Sequence, residues 1–431
     1  MQVRDASRWL DSDARNRPRP HAFRPPRENR FIGWISKRIA ARTVRRKLKV
    51  TETRIDDTDL DRLRGLRGAR CLLMCSHSGG FEPYVVMALS RRIGIDCYYL
   101  AAIEAFERHP FIGWFMQRAG AYSVIRGAAD RPSFKTTRRI LAEAKRWLVI
   151  FPEGQTVWQN DTVIPFQEGV TQLAFKGYED ACRNDPDASL HCVPMAVKYA
   201  YLGNMDAEIE ASLLRLESHL LAPEADRSGS TVRRLRRLSE AVLKANEKKH
   251  GVTPAAGDAL DARIQRMKET IVREIEMQLD LTPRADQDLL DRIRACFNAV
   301  DAIVNGPAEA LPYEEKLLQE RRDAARDLYE DLWRVLQFVA IYEGYVRELS
   351  TVERLLDVLC LLEMEVFNER RIWGPRRCII KVGDPVNLRD YDPAYRENKR
   401  GTVRDVSLLL ESRVRSMLRD LALAYSTPLE E

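Results

Sequence analysis

The sequence predicts an α/β protein: a central mixed sheet flanked by helices, with a large all-α insertion. Three observations lead there. Between about 70 and 200, short apolar strands alternate with helical patterns, as when helices cover a sheet. From about 205 to 372 the texture turns to charge-dense helical periodicity with few strand signals, as in "LDARIQRMKETIVREIEMQL". Then "RRCIIKVGDPVNL", Arg376 to Leu388, reads as one more strand and turn, followed by a closing helix, "TVRDVSLLLESRVRSMLRDLAL". A late strand after a long helical block means that the α/β unit resumes.

At 431 residues, with 45% hydrophobic and 31% charged content, the chain has the composition of an ordered protein of two or three domains. The longest run without Asp, Glu, Lys or Arg is 11 residues, Cys71 to Phe81, about half of what a spanning helix needs. The N-terminus lacks the apolar core of a signal peptide. The eight cysteines form no C-x-x-C pair and sit mostly in apolar contexts, as expected of reduced, buried thiols. Six scattered histidines argue against a structural zinc site. Net charge is +6, yet residues 1–50 hold 15 Lys/Arg against 4 Asp/Glu. A basic head on a mildly acidic body points to an anionic surface, either lipid headgroups or nucleic acid.

Residues 1–30, rich in Pro and Arg, read as a disordered basic arm. In "RFIGWISKRIAARTVRRKLKV" Phe31, Ile32, Ile35 and Ile39 can share one helical face, with Trp34 at its edge. That helix either lies on a membrane or packs on the core. The expected strands are Arg70–Ser76, Asp96–Ala101, Ala121–Ile125, Trp147–Phe151 and Cys192–Tyr199. Helices such as Pro83–Ile93 and Ser133–Lys145 fall between them. The organisation is therefore a core over 31–204, a helical insertion or lid over 205–372, and a return of the core over 373–431.

The chemistry gathers at strand ends. In "LLMCSHSGGFEPYVVMAL" a strand runs into a turn carrying His77 and, five residues on, Glu82. Five steps of a helix leave two residues about 140° apart, so the pair cannot share one helical face. Pro83 favours a helix that starts at Glu82 or Pro83, which leaves His77 in a loop that Gly79 and Gly80 let fold tightly. Glu82 can then orient one ring nitrogen of His77 and leave the other free as a base. In "WLVIFPEGQTVW", Glu153 and Gly154 follow a strand at the sheet edge where ligands gather. "RAGAYSVIRG" leaves Arg126 just past another strand, suited to planar contact with phosphate. No G-x-G and no Gly-Lys occurs, which excludes a standard dinucleotide fingerprint and a P-loop. "HSGG" is like the oxyanion turn of lipases, but the G-x-S-x-G elbow is missing.

Taken together, these stretches resemble the glycerolipid acyltransferase family, which includes the 1-acylglycerol-3-phosphate acyltransferases. The His77–Glu82 stretch resembles its first block, "GAYSVIRG" its second, "IFPEG" its third and "CVPMAVKY" its fourth; "FERHPFIGWFMQRAG" is similar to its linking segment and "KVGDPVNL" to its closing strand. Departures are Ser76 for the usual Asn, Glu82 for the usual Asp, and Gln155-Thr156-Val157 where Thr-Arg-Ser often stands. The resemblance implies acyl transfer from acyl-CoA or acyl carrier protein to a hydroxyl of a glycerol-phosphate-type lipid such as lysophosphatidate. It implies His77 as general base, Glu82 as its orienter, and Arg126, Glu153 and Gly154 at the acceptor. No metal or cofactor is implied, because a thioester carbonyl is already reactive. The expected setting is cytoplasmic and peripheral to a membrane with anionic lipids. Nucleic acid is not expected, since aromatics do not interleave with the cations. The helical block would be a lid, a homodimer surface or a partner-docking surface. The competing reading is a catalytically silent acyltransferase-like scaffold that binds membranes and acts through its helices.

Overall fold

The computed structural model describes residues 22–107, 109–125, 130–255, 257–285, 287–304, 312–340 and 350–429. Arg126 and most of the basic arm lie outside the described residues. Eight strands form one mixed sheet: β1 (Val50–Ile55), β2 (Arg70–Cys75), β3 (Cys97–Ala102), β4 (Ala121–Val124), β5 (Trp147–Ile150), β6 (Leu190–Tyr201), β7 (Arg376–Val382) and β8 (Val386–Asn387). The order is β1-β7-β6-β2-β5-β3-β4, with β8 beside β6. All neighbours run parallel except β7 and β8, which are antiparallel to β6. After the helical block, β7 pairs with Met195–Tyr201 of β6.

The central strands are apolar on both faces because helices cover both. Leu72, Met74, Leu148 and Ile150 face a core shared with the closing helix Lys399–Tyr425, while Cys71, Leu73, Cys75 and Val149 face helix Glu82–Ile93. Helix Glu82–Ile93 starts where Pro83 directs it and ends at Gly94 in the left-handed region.

One expectation is corrected at the N-terminus, for residues 24–29 of the arm expected over 1–30. Residues 24–29 are hydrogen-bonded: Arg24 exchanges bonds with Ser123, Arg27 and Asn29 donate to the carbonyls of Gln117 and Arg118, and Glu28 accepts from the Tyr98 hydroxyl at 2.7 Å. Paired backbone groups hold this proline-rich stretch extended instead of leaving it disordered. Helix Arg30–Arg46 follows, and its buried residues are Ser36, Ala40 and Val44. It packs against Glu82–Ile93. Small side chains let the two helices approach closely, whereas Phe31, Trp34 and Ile39 of the expected apolar face are exposed.

The helical block supplies helices Asp206–Leu220, Thr231–Lys249, Leu260–Gln278, Leu289–Val304, Pro312–Ala340 and Val352–Phe367. It is packed onto the sheet's loops. Val157 and Ile164, from the segment after β5, are buried among Ile264, Met267, Ile271 and Phe297 of the helices. No helix among the described residues is long and apolar enough to cross a membrane.

Candidate active site

The site sits where β2 and β5, hydrogen-bonded neighbours, both end. Ser76 closes β2: its N–H donates to Met195 O and its hydroxyl accepts from Val197 N at 3.0 Å, which fixes the loop origin against β6. The next residue is His77. Its Nδ1 lies 2.8 Å from Glu82 Oε2, and its ring stacks on Phe151 with centroids 4.3 Å apart. The longer glutamate side chain therefore reaches the ring without opening the loop.

Glu82 is fully buried, and each oxygen is held. Oε1 accepts from Gly79 N at 3.0 Å and from the Tyr199 hydroxyl at 3.3 Å, while Oε2 faces the imidazole. Burial pushes this carboxyl up, but the His77 ring, by hydrogen bond and charge, and the Gly79 N–H hold it below the ordinary carboxylate range. Nε2 of His77 lies outside this bond, so the ring has one fixed and one available nitrogen.

Glu153 comes to the same loop from β5. Its Oε1 accepts from His77 N at 2.7 Å and its Oε2 from Ile164 N at 3.0 Å, and it is fully buried. Burial raises it to about 7 despite these two donors. Gly154 follows at φ +73°, and a Cβ there would lie 1.9 Å from Gln167 Nε2. The left-handed conformation favours glycine here, and any side chain would also have to displace the end of Gln167. Thus four of the five expected site residues, His77, Glu82, Glu153 and Gly154, converge on one loop pair. The fifth, Arg126, lies outside the described residues, beyond β4 and Ile125.

Other contributors were not singled out by sequence reasoning. Tyr199 reaches Glu82 from β6, inside the fourth block, which is the signal that could have found it. Asn160 pairs with the backbone of Tyr199 through both its side-chain atoms, at 2.6 and 2.9 Å, acting as a surrogate strand partner. Buried Asp161 pairs with buried Lys198 beside it. Arg294, from the helical block, donates to Pro165 O at 2.8 Å and Glu153 O at 3.4 Å, tying that block to the site loop. Cys75, at the end of β2, is no nucleophile: burial, reinforced by Glu82 and Glu153, holds its thiol well above the ordinary range. Among the described residues no group of three or more His, Cys, Asp or Glu could hold a metal ion.

Residues 54–198 match the family model described as Acyltransferase. A 1-acyl-sn-glycerol-3-phosphate acyltransferase of Saccharomyces cerevisiae is 27% identical over 109 residues, a match covering 22% of this chain and 36% of the yeast protein. The matched stretch thus spans about a third of that relative's length.

Proposed function

We propose that the chain, whose residues 54–198 match the Acyltransferase family model, transfers a fatty acyl group from an acyl thioester to the hydroxyl of a glycerol-phosphate-type lipid such as lysophosphatidate. The observation that carries this reading is the 2.8 Å contact between His77 Nδ1 and buried Glu82. With Nδ1 tied down, Nε2 takes the proton of the acceptor hydroxyl as its oxygen attacks the thioester carbonyl. The tetrahedral intermediate collapses, the C–S bond breaks, and the imidazolium returns the proton to the departing thiolate. Glu82 stabilises the imidazolium that forms in between. Arg126 is assigned to the acceptor phosphate. Glu153 and Gly154 act on the same site by shape: Glu153 has both oxygens engaged by backbone N–H groups, so it braces the loop that presents His77.

The enzyme would reach its lipid from the membrane surface. Two neighbouring helices, Arg30–Arg46 and Pro110–Arg118, are bridged by residues 24–29 and expose Phe31, Trp34, Phe111 and Trp114. Arg38 lies 3.4 Å over the Trp34 ring and Arg118 4.1 Å over that of Trp114. Paired aromatics and cations suit an anionic bilayer interface. In co-sedimentation with vesicles containing phosphatidylserine, Trp34→Ala/Trp114→Ala is expected to weaken binding at least tenfold; unchanged binding would remove this face from the reading.

The reaction is tested by thiol release from a long-chain acyl-CoA, and separately from acyl carrier protein, against a panel of lysophospholipids and glycerol 3-phosphate. The expected result is acceptor-dependent release that falls about 100- to 10,000-fold in folded His77→Ala. Silence with both donors, in a protein that binds vesicles, would favour the scaffold reading.

A further inference from the structure

Behind the His77–Glu82 pair lies a second polar space that the proposed reaction does not use. It is a cavity of about 60 Å³, walled by the loop after β2 on one side and by the end of the helical block on the other. That volume accommodates a few waters or one small oxyanion. Ser78 and Trp373 both line it, both are more than nine-tenths buried, and Ser78 Oγ and Trp373 Nε1 have no hydrogen-bond partner. Two buried donors without acceptors are costly unless something occupies the space they border.

The charge in the wall points the same way. Arg370 donates to Gly79 O at 2.8 Å and lies 3.3 Å over the Trp158 ring. Trp158 in turn packs where Gly80, at φ +74°, leaves room: a Cβ there would come within 2.9 Å of the indole. Arg376 donates to Leu48 O through Nε and Nη2, at 3.0 and 2.8 Å, and lies 4.8 Å from the Tyr199 ring centroid. Neither guanidinium pairs with a carboxylate among the described residues, whereas the third lining arginine, Arg371, pairs with Glu363 at 3.1 Å. Burial, chiefly, with Arg376 nearby, lowers Arg370 to about 10, against a partial offset from the charge of Glu82. Two carboxylates also border the cavity, but Glu82 is committed to His77, Gly79 and Tyr199, and Asp357 accepts from Asn160 N at 2.8 Å.

We propose that this cavity binds a phosphate-type oxyanion, held by Arg370 and Arg376 with Ser78 Oγ–H and Trp373 Nε1–H as further donors. Two planar guanidinium groups and two neutral donors suit a group with several acceptor oxygens better than a halide. The site is distinct from the acceptor contact assigned to Arg126, and it stands whether or not the acyl-transfer reading does. Its position has a consequence: the same loop, through Gly79 O and Gly79 N, connects Arg370 to Glu82.

The test is calorimetric titration of the full chain with sodium phosphate and with glycerol 3-phosphate, against sodium chloride at matched ionic strength. Wild type is expected to bind both phosphate compounds and not chloride. Arg370→Gln is expected to lose roughly a hundredfold in affinity and Ser78→Ala roughly tenfold. Tighter binding of glycerol 3-phosphate would identify an esterified headgroup as the source, and tighter binding of inorganic phosphate a free ion. If Arg370→Gln does not fold, as judged by circular dichroism, Ser78→Ala decides. No phosphate-specific heat in wild type, or wild-type affinity in a folded variant, would overturn the proposal.

Discussion

Glu82 and Glu153 are both fully buried, follow adjacent strands, the one at the start of helix Glu82–Ile93 and the other in the loop after β5, and touch the same residue, His77. Their electrostatics diverge. Glu82 meets the imidazole side chain and is held below the ordinary carboxylate range; Glu153 meets only backbone N–H groups and is pushed up to about 7. Burial raises both. The difference is that a chargeable partner offsets the loss of water for one, and two neutral donors do not for the other. One glutamate is therefore built to answer a charge on His77, and the other to hold the backbone from which His77 projects.

The comparison gives opposite pH signs. Glu82, depressed when folded, contributes stability that is present above its unfolded value and lost as pH falls through the folded one. Glu153, raised when folded, contributes stability that is full below about 4.5 and lost as pH rises through about 7. The largest effect follows from this. The stability difference between wild type and Glu153→Gln is expected to shift by up to about 3 kcal/mol between pH 8 and pH 4.5, with wild type favoured at the acid end. Urea unfolding across that range measures it, and a flat difference would mean that Glu153 stays ionised throughout. Next comes Glu82→Gln, expected to slow acyl transfer about 10- to 100-fold with little change in acceptor KM, because it removes a buried charged hydrogen bond to the base. A KM effect alone would move Glu82 from the chemistry to acceptor binding. The smallest is Gly154→Ala, which forces a side chain into φ +73°. A loss of about 1–2 kcal/mol is expected in thermal unfolding, with the pH trend of Glu153 intact.

Much of the sheet was legible because β2, β3, β4, β5, β6 and β7 are short apolar runs between turn residues. β1 was not. "VTETRI" alternates weakly and carries Glu52 and Arg54, because it is an edge strand paired only with β7 and exposed along much of its length. The His77–Glu82 contact was legible because Pro83 fixes the helix start locally. Tyr199 and Arg370 were not, since they reach the same loop from 117 and 291 residues away. Helix Arg30–Arg46 shows the limit of periodicity: its bulky apolar face was visible, but Ser36 and Ala40 pack instead, because close helix–helix approach selects size over hydrophobicity. The helical block was readable as helices but not as a wall of the site. That role depends on single contacts, Arg294 to Pro165 and Arg370 to Gly79, which no local pattern encodes.

The central claim, that Glu82 acts on the reaction through His77, is tested most directly by a double-mutant cycle in acyl-transfer rate over wild type, His77→Ala, Glu82→Gln and the double variant. The account predicts strong non-additivity: once His77 is gone, replacing Glu82 costs less than about twofold. Additive losses, with Glu82→Gln equally harmful in both backgrounds, would contradict it and show that Glu82 serves the loop or the acceptor independently of the base.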